Sequence, residues 1–480
     1  MEISELRLAE DMEYWSIPGA AVSISLEGKE ILCAAEGCRD LKKELPVDIH
    51  TRFCIASCTK AFTTAIALLL QKQGKLNLLV PVKKYLPEFT LMDEAAGANL
   101  CLHDMFTHIS GLPGHDFMWP YYEISDTEFI KRVGYLEPSC PFRMKAQYNN
   151  IMYILAGLVE ERVSGKTWGH LVKEYLFEPL GLTESYVSLE EAADHREENL
   201  AEGYRYLRGG IQNTHSIAPK ERASGSIVMS SRDHLKWMEF QISGKDQYGS
   251  CIFTPEELAF LHEPRVIFEK KQYSFEKDSL PICYGYGWYI REYRGKKIVY
   301  HHGATLGFCS LQACIPEAGL CMSVLENGHG TGTVFADAIL FGVIDRVIFG
   351  EDTVNIWRER YHDVQGILSS HDVNKMEKVR TAPAVRSAEA FCGRYENDAY
   401  GEVVISEKSG SFFLSFKGFK VEMLPYDGSA DTCVFRVQGL VADTEFYTLP
   451  ACFRRMKEGS YQEVTMPLED HVEEIVFRRR

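Results

Sequence analysis

Thr51-Arg-Phe-Cys-Ile-Ala-Ser57-Cys-Thr-Lys60-Ala-Phe-Thr-Thr-Ala-Ile-Ala-Leu-Leu-Leu70 is the stretch on which the reading of the fold turns. From Ala61 to Leu70 there is no charge, which predicts a buried helix whose first turn carries Ser57 and Lys60. Three residues make close to one helical turn, so both side chains project from one face. A serine alcohol is a poor nucleophile at neutral pH until a neighbour takes its proton. A lysine one turn on can do that, or can hold the base that does. The helix start adds partial positive charge and unpaired N–H groups where an oxyanion would form. Taken alone, the same pattern also describes a helix cap followed by a solvated lysine.

Two further motifs follow. Ala146-Gln-Tyr148-Asn149-Asn150-Ile-Met-Tyr-Ile-Leu-Ala-Gly-Leu-Val opens another apolar helix with a Tyr-x-Asn element. Val299-Tyr-His301-His302-Gly303-Ala304-Thr-Leu-Gly307-Phe308 places His-x-Gly at the end of a strand-like run. In this order the chain resembles the serine β-lactamase and penicillin-binding protein superfamily. The likeness is to its class C-like branch, with its esterases and D-aminopeptidases. Ile17-Pro-Gly-Ala-Ala-Val-Ser-Ile24, Thr107-His-Ile-Ser-Gly-Leu-Pro113, Ala223-Ser-Gly-Ser-Ile-Val-Met-Ser-Ser-Arg-Asp233 and Tyr284-Gly-Tyr-Gly-Trp288 carry the resemblance from about residue 15 to about residue 345.

The resemblance implies Ser57 as acylated nucleophile, Lys60 as its proton partner and Tyr148 as general base. It implies that Asn150 positions Lys60 and the substrate, and that the backbone N–H groups of Ser57 and Ala304 receive the oxyanion. Gly303 would let its strand approach the substrate, and His115 would line the acyl pocket. Against the resemblance, His301 stands where β-lactamases usually place lysine. A neutral imidazole neither grips a carboxylate nor lends a tyrosine base positive charge, so efficient β-lactam turnover is not expected. A tyrosine titrating ordinarily near pH 10 needs cationic neighbours to serve as base. Lys60 is the obvious one.

The bulk numbers suit a soluble protein. Of 480 residues, 45% are hydrophobic and 25% charged, ample for a core. Lys+Arg 52 against Asp+Glu 68 gives −16, which disfavours nucleic acid and anionic membranes as partners. The start, Met1-Glu-Ile-Ser-Glu-Leu-Arg-Leu, lacks a basic head and apolar core, and the 61–70 run is too short for a bilayer. Fourteen scattered cysteines contain no Cys-x-x-Cys pair, and the expected compartment is the reducing cytoplasm. Cys54 and Cys58 flank the nucleophile as packing residues or reactive thiols, of which packing is the commoner fate. His103, His108, His115, His301 and His302 lack the His-x-x-x-His spacing of a helical metal site, so neither metal nor organic cofactor is expected.

Along the chain, strand-like runs near residues 20–35 flank a Gly28 turn, helix-like stretches dominate from 60 to about 245, and strands return from 284 to 326. The expected fold class is α+β: an antiparallel sheet flanked by helices, a helical lobe, and a small C-terminal all-β domain. Residues 1–349 read as the catalytic domain, 350–388 as a linker around Arg380-Thr-Ala-Pro, and 389–480 as a barrel-like domain. The barrel resembles the lipocalin-like domains of some relatives. The expected function is a serine hydrolase acting through an acyl-enzyme on a small ester or amide, of esterase or D-amino-acid amidase or peptidase type. A non-turnover penicillin-binding or sensor module and an acyltransferase are the alternatives. Oligomeric state is not legible.

Overall fold

The computed structural model of the protein describes residues 7–119, 124–195, 199–207, 210–214, 222–268, 281–305, 307–329, 332–353, 356–361, 388–417, 419–428, 433–437 and 449–480. The chain forms two compact units. One comprises Met1–Pro87, Asn99–Ser110 and Phe142–Gln365; the other comprises Glu88–Ala98, Gly111–Pro141 and Gly366–Arg480.

The first unit is built on a nine-stranded antiparallel sheet. Strand β1 (Gly19–Leu26) turns through Glu27 and Gly28, both at positive φ, into β2 (Lys29–Asp40). A two-residue turn of that kind matches the natural strand twist. The later strands are β3 (Tyr289–Tyr293), β4 (Lys296–Thr305), β5 (Phe308–Ile315) and β6 (Leu320–Glu326). β6 pairs with β1, closing early and late sequence into the order β2-β1-β6-β5-β4-β3, with short edge strands on either side.

Helices cover both faces of the sheet. Helix α1 (Leu8–Trp15) and a C-terminal helix (Gly332–Ile344) share one apolar cluster with the sheet, including Met12, Trp15, Val22, Tyr300, Leu311, Val324, Phe335 and Ile339. The opposite face is more polar. There the helix Ser231–Ser243 meets Ser23 through Ser231 (2.7 Å between hydroxyls) and Ser323 through His234 (2.9 Å). Beyond it, α2 (Thr59–Lys72) stacks Phe62 on Trp237 at 3.7 Å, and α3 (Asn150–Ser164) packs on α2. A Cβ on Gly157 of α3 would lie 2.6 Å from that of Ala223, so only glycine admits this approach.

In the second unit, eight strands run from Gly393 to Arg479 in a closed barrel, each next to its sequence neighbour and the last paired with the first. Alternation is plain in Ser411–Phe416, where Phe412, Leu414 and Phe416 are buried. The α+β expectation and the all-β C-terminal part both hold. The expected linker falls largely on residues outside those described; its residues 356–361 are helical.

The boundary expected at residue 349 is not where the compact units divide. Residues 88–98 and 111–141, inside the stretch read as catalytic, cluster with the barrel. His115 is fully buried there: its ring bonds the Tyr400 hydroxyl (2.8 Å) and the Glu137 carbonyl (2.9 Å), and its backbone N–H donates to Glu469 (2.7 Å). Lys417 donates to the Met118 carbonyl. These are long-range contacts that no local pattern announces. Among the described residues, no helix is long and apolar enough to cross a membrane.

Deleting residues 388–480 should therefore strip partners from 111–141. Limited trypsinolysis of the truncated chain should cut at Lys131 or Arg132 much faster than in the full chain. Equal resistance would show that the segment holds itself.

Candidate active site

Ser57 lies in a tight 3-10 turn, Ala56–Cys58, that runs into α2 at Thr59, so the expected first turn carrying Ser57 and Lys60 is split between that turn and α2. Ala56 holds φ 45°, a left-handed conformation unusual for a residue with a side chain. Such strain persists only where its surroundings enforce it. Here Cys58 is pinned on two sides: its thiol donates to the His301 carbonyl (3.3 Å), and its own carbonyl accepts from the Gln312 amide (3.3 Å). Gln312 in turn accepts from Trp237 and meets His234. Burial pushes the Cys58 thiol up to about 12, so it is a packing group.

Lys60 is fully buried, and its ammonium donates to Ser57 Oγ (2.9 Å), Asn150 Oδ1 (2.7 Å) and the Ser224 carbonyl (2.8 Å). An ammonium has three protons to give. Its nitrogen lies 4.8 Å from the Tyr148 ring centre and 5.4 Å from that of Tyr153. Three consecutive residues thus serve three purposes. Tyr148 turns its ring to the lysine, Asn149 caps α3 by accepting from Met152 N–H (3.0 Å), and Asn150 holds Lys60.

Strand β4 brings the third motif alongside. A Cβ on Gly303 would lie 2.1 Å from the Ile55 carbonyl and 2.3 Å from Ser310 Oγ, so the strand can seat against the turn that carries Ser57 only without a side chain. Ser310, opposite Gly303 on β5, donates to that same Ile55 carbonyl at 2.7 Å. Ala304, the next residue, is exposed.

His301 is buried, and its ring meets the His302 carbonyl through Nδ1 (2.5 Å) and the Tyr284 hydroxyl through Nε2 (2.9 Å). A carbonyl only accepts, so Nδ1 carries the proton and Nε2 accepts from tyrosine. Burial, then the Lys60 charge, holds this imidazole well below its usual range. His108 is depressed by the same causes in the same order. Position 301 therefore offers a neutral ring at neutral pH.

Ser57, Lys60, Tyr148, Asn150, His301 and Gly303 are thus linked within one unit by these contacts, with Ala304 following Gly303 on the same strand. His115 belongs to the other unit, and both its ring nitrogens are engaged there, so its expected place in an acyl pocket is not carried forward. Sequence reasoning assigned no role to Ser224, Tyr284 or His108. Each sat inside a motif already noticed, but what each touches depends on long-range packing.

Residues 7–341 match the family model described as Beta-lactamase, well over half of the chain. The chain belongs to the beta-lactamase family. An unguisins hydrolase of Aspergillus campestris is 25% identical over 418 residues, spanning 82% of this chain and 75% of the relative. Among solved structures, the octameric penicillin-binding protein homologue from Pyrococcus abyssi aligns over 100% of both chains with TM-score 0.61 and 21% identity. A D-amino acid amidase from Ochrobactrum anthropi SV3 aligns over 75% of this chain and 96% of its own with TM-score 0.56 and 21% identity. At such identities the structural likeness speaks for the beta-lactamase fold.

Two outcomes follow from this geometry. Gly303→Ala should destabilise the fold by about 1–3 kcal/mol, as overpacking does, read from urea unfolding. The second concerns pH. His234 is buried and held at about 4, so it binds a proton less readily folded than unfolded. Its contribution is present above pH ~6.5 and is lost as pH falls toward the folded value, about 2 kcal/mol by pH 5. Urea midpoints at pH 7.5 and 5 should show the wild type falling further than His234→Gln by that amount.

Proposed function

We propose that this protein is a serine hydrolase that passes the acyl group of a small, uncharged ester or amide through Ser57 to water. The observation that carries the reading is the Lys60 ammonium, buried and donating at once to Ser57 Oγ and Asn150 Oδ1, 4.8 Å from the Tyr148 ring centre. A cation so placed favours the phenolate of the neighbouring tyrosine. Tyr148 then takes the Ser57 proton as Oγ attacks the carbonyl carbon, and returns it to the departing alcohol or amine. In the second half Tyr148 takes a proton from water, whose oxygen attacks the acyl carbon, and gives it back to Ser57 as the acid leaves. Asn150 keeps Lys60 oriented and presents its amide to the substrate.

In this reading the backbone N–H groups of Ser57 and Ala304 receive the oxyanion. Each such donor is typically worth about 3 kcal/mol to the transition state. The neutral His301 argues for uncharged substrates, because a buried imidazole already bonded at both nitrogens gives a carboxylate no charge to pair with. The hydrolase among the relatives supports hydrolysis, and the D-amino acid amidase among the structural neighbours favours the amide arm. The described cysteines are free thiols, which fits a reducing compartment, and we place the enzyme in the cytoplasm.

Ser57→Ala should abolish both fluorophosphonate labelling and turnover of p-nitrophenyl acetate and of a D-aminoacyl amide panel. Lys60→Ala and Tyr148→Phe should each lower kcat at least ~10²-fold, as loss of an acid–base group does. Their double variant should lose far less than the product of the two, since they act as one unit. Retention of a tenth of the activity in Ser57→Ala would refute the mechanism.

A further inference from the structure

We infer that His108 is the positioning residue for Tyr148, an inference that rests on the acyl-transfer reading above. The chain leaves the first unit after Ser110 and re-enters it at Phe142, six residues before Tyr148. The returning strand of chain is riveted to residues 104–109 at four points. Arg143 N–H donates to the Ile109 carbonyl (2.9 Å), and its guanidinium grips the buried Asp104 carboxylate with two bonds of 2.7 and 2.8 Å. The last two rivets both come from His108. Its carbonyl accepts from Gln147 N–H at 2.8 Å, and its ring Nδ1 accepts from Asn149 N–H at 3.1 Å. One residue therefore holds the backbone N–H groups of both residues that flank Tyr148, Gln147 and Asn149.

His108 is specialised for this. Its backbone sits at φ 60°, the left-handed region, which carries its carbonyl and its ring toward the same neighbour. Histidine, asparagine and aspartate enter that region more readily than other residues with side chains. The ring lies 4.6 Å from that of Tyr148 and 4.8 Å from that of Tyr284, so it also walls one side of the phenol. Because Nδ1 accepts, the proton of the neutral ring is on Nε2, which is buried and has no hydrogen-bond partner among the described residues. A buried donor left unsatisfied asks for an explanation beyond stability. The acceptor at Nδ1, which an apolar ring would not provide, supplies it.

Two substitutions separate the roles. His108→Gly relaxes the left-handed backbone but removes the acceptor. His108→Asn tolerates the same backbone and places Oδ1 where Nδ1 was. Steady-state kinetics on p-nitrophenyl acetate and thermal melting should show the glycine variant folded, with kcat down ~10- to 100-fold and KM within about threefold, by analogy with misplacing a reacting group. The asparagine variant should stay within threefold of wild-type kcat, with the acidic limb of its pH profile unmoved. His108→Gly in the Tyr148→Phe background should add no further loss. Wild-type kcat in the glycine variant, a tenfold loss in a folded asparagine variant, or a displaced acidic limb in that variant would each overturn the inference. Should the glycine variant not fold, the asparagine variant alone decides by the same threshold. Full activity in Tyr148→Phe, by contrast, would refute the acyl-transfer reading and not the clamp geometry.

Discussion

A buried ammonium must be matched proton for proton, and Lys60 is the group around which the first unit is arranged. Taking an ammonium out of water costs several kcal/mol unless its donors are met. Three acceptors meet them from three places in the chain: Ser57 on the preceding turn, Asn150 at the start of α3, and the Ser224 carbonyl. The same requirement that stabilises the charge therefore brings Ser57, Asn150 and Tyr148 into one place.

The surroundings keep other charge away from that ammonium. His108 and His301 face the Tyr148 ring at 4.6 and 6.2 Å, and both are held neutral by burial and by Lys60 itself. A lysine at 301 would add a second buried cation, a different electrostatic solution with a different preference for substrate. The backbone is as tightly specified. Ala56 is strained, Gly303 has no room for a methyl group, and the Cys58–Gln312–His234 chain of hydrogen bonds locks the turn from beneath. The geometry around Ser57 is thus held by buried groups from four separate stretches of chain.

The barrel unit shows how far sequence order departs from spatial grouping. Its strands are consecutive and local, yet it also draws in residues 88–98 and 111–141 from between the catalytic motifs. His115 sits two residues after a motif that the family shares, and position alone suggested a substrate contact. Its imidazole is instead a structural group whose two nitrogens knit the 111–141 segment to itself and to Tyr400.

The sequence by itself determined the fold class and the neighbourhood of Ser57 and Lys60. Hydrophobic periodicity is local, a Gly28 turn is local, and Ser57 and Lys60 are joined by one helical turn, so their proximity needed no tertiary information. Tyr148 and His301 were legible only as motifs in company. What brought them to Lys60 is the seating of β4 on the turn that carries Ser57 and the packing of α3 on α2, through contacts between residues 243 and 90 positions apart. The tertiary structure alone decided that His301 is buried and bonded at both ring nitrogens, that His115 bonds Tyr400 and Glu137, and that His108 accepts from the N–H groups of both residues flanking the tyrosine. Each of these depends on burial and on the partners of individual nitrogen atoms, which follow from the packed chain and not from any spacing along it.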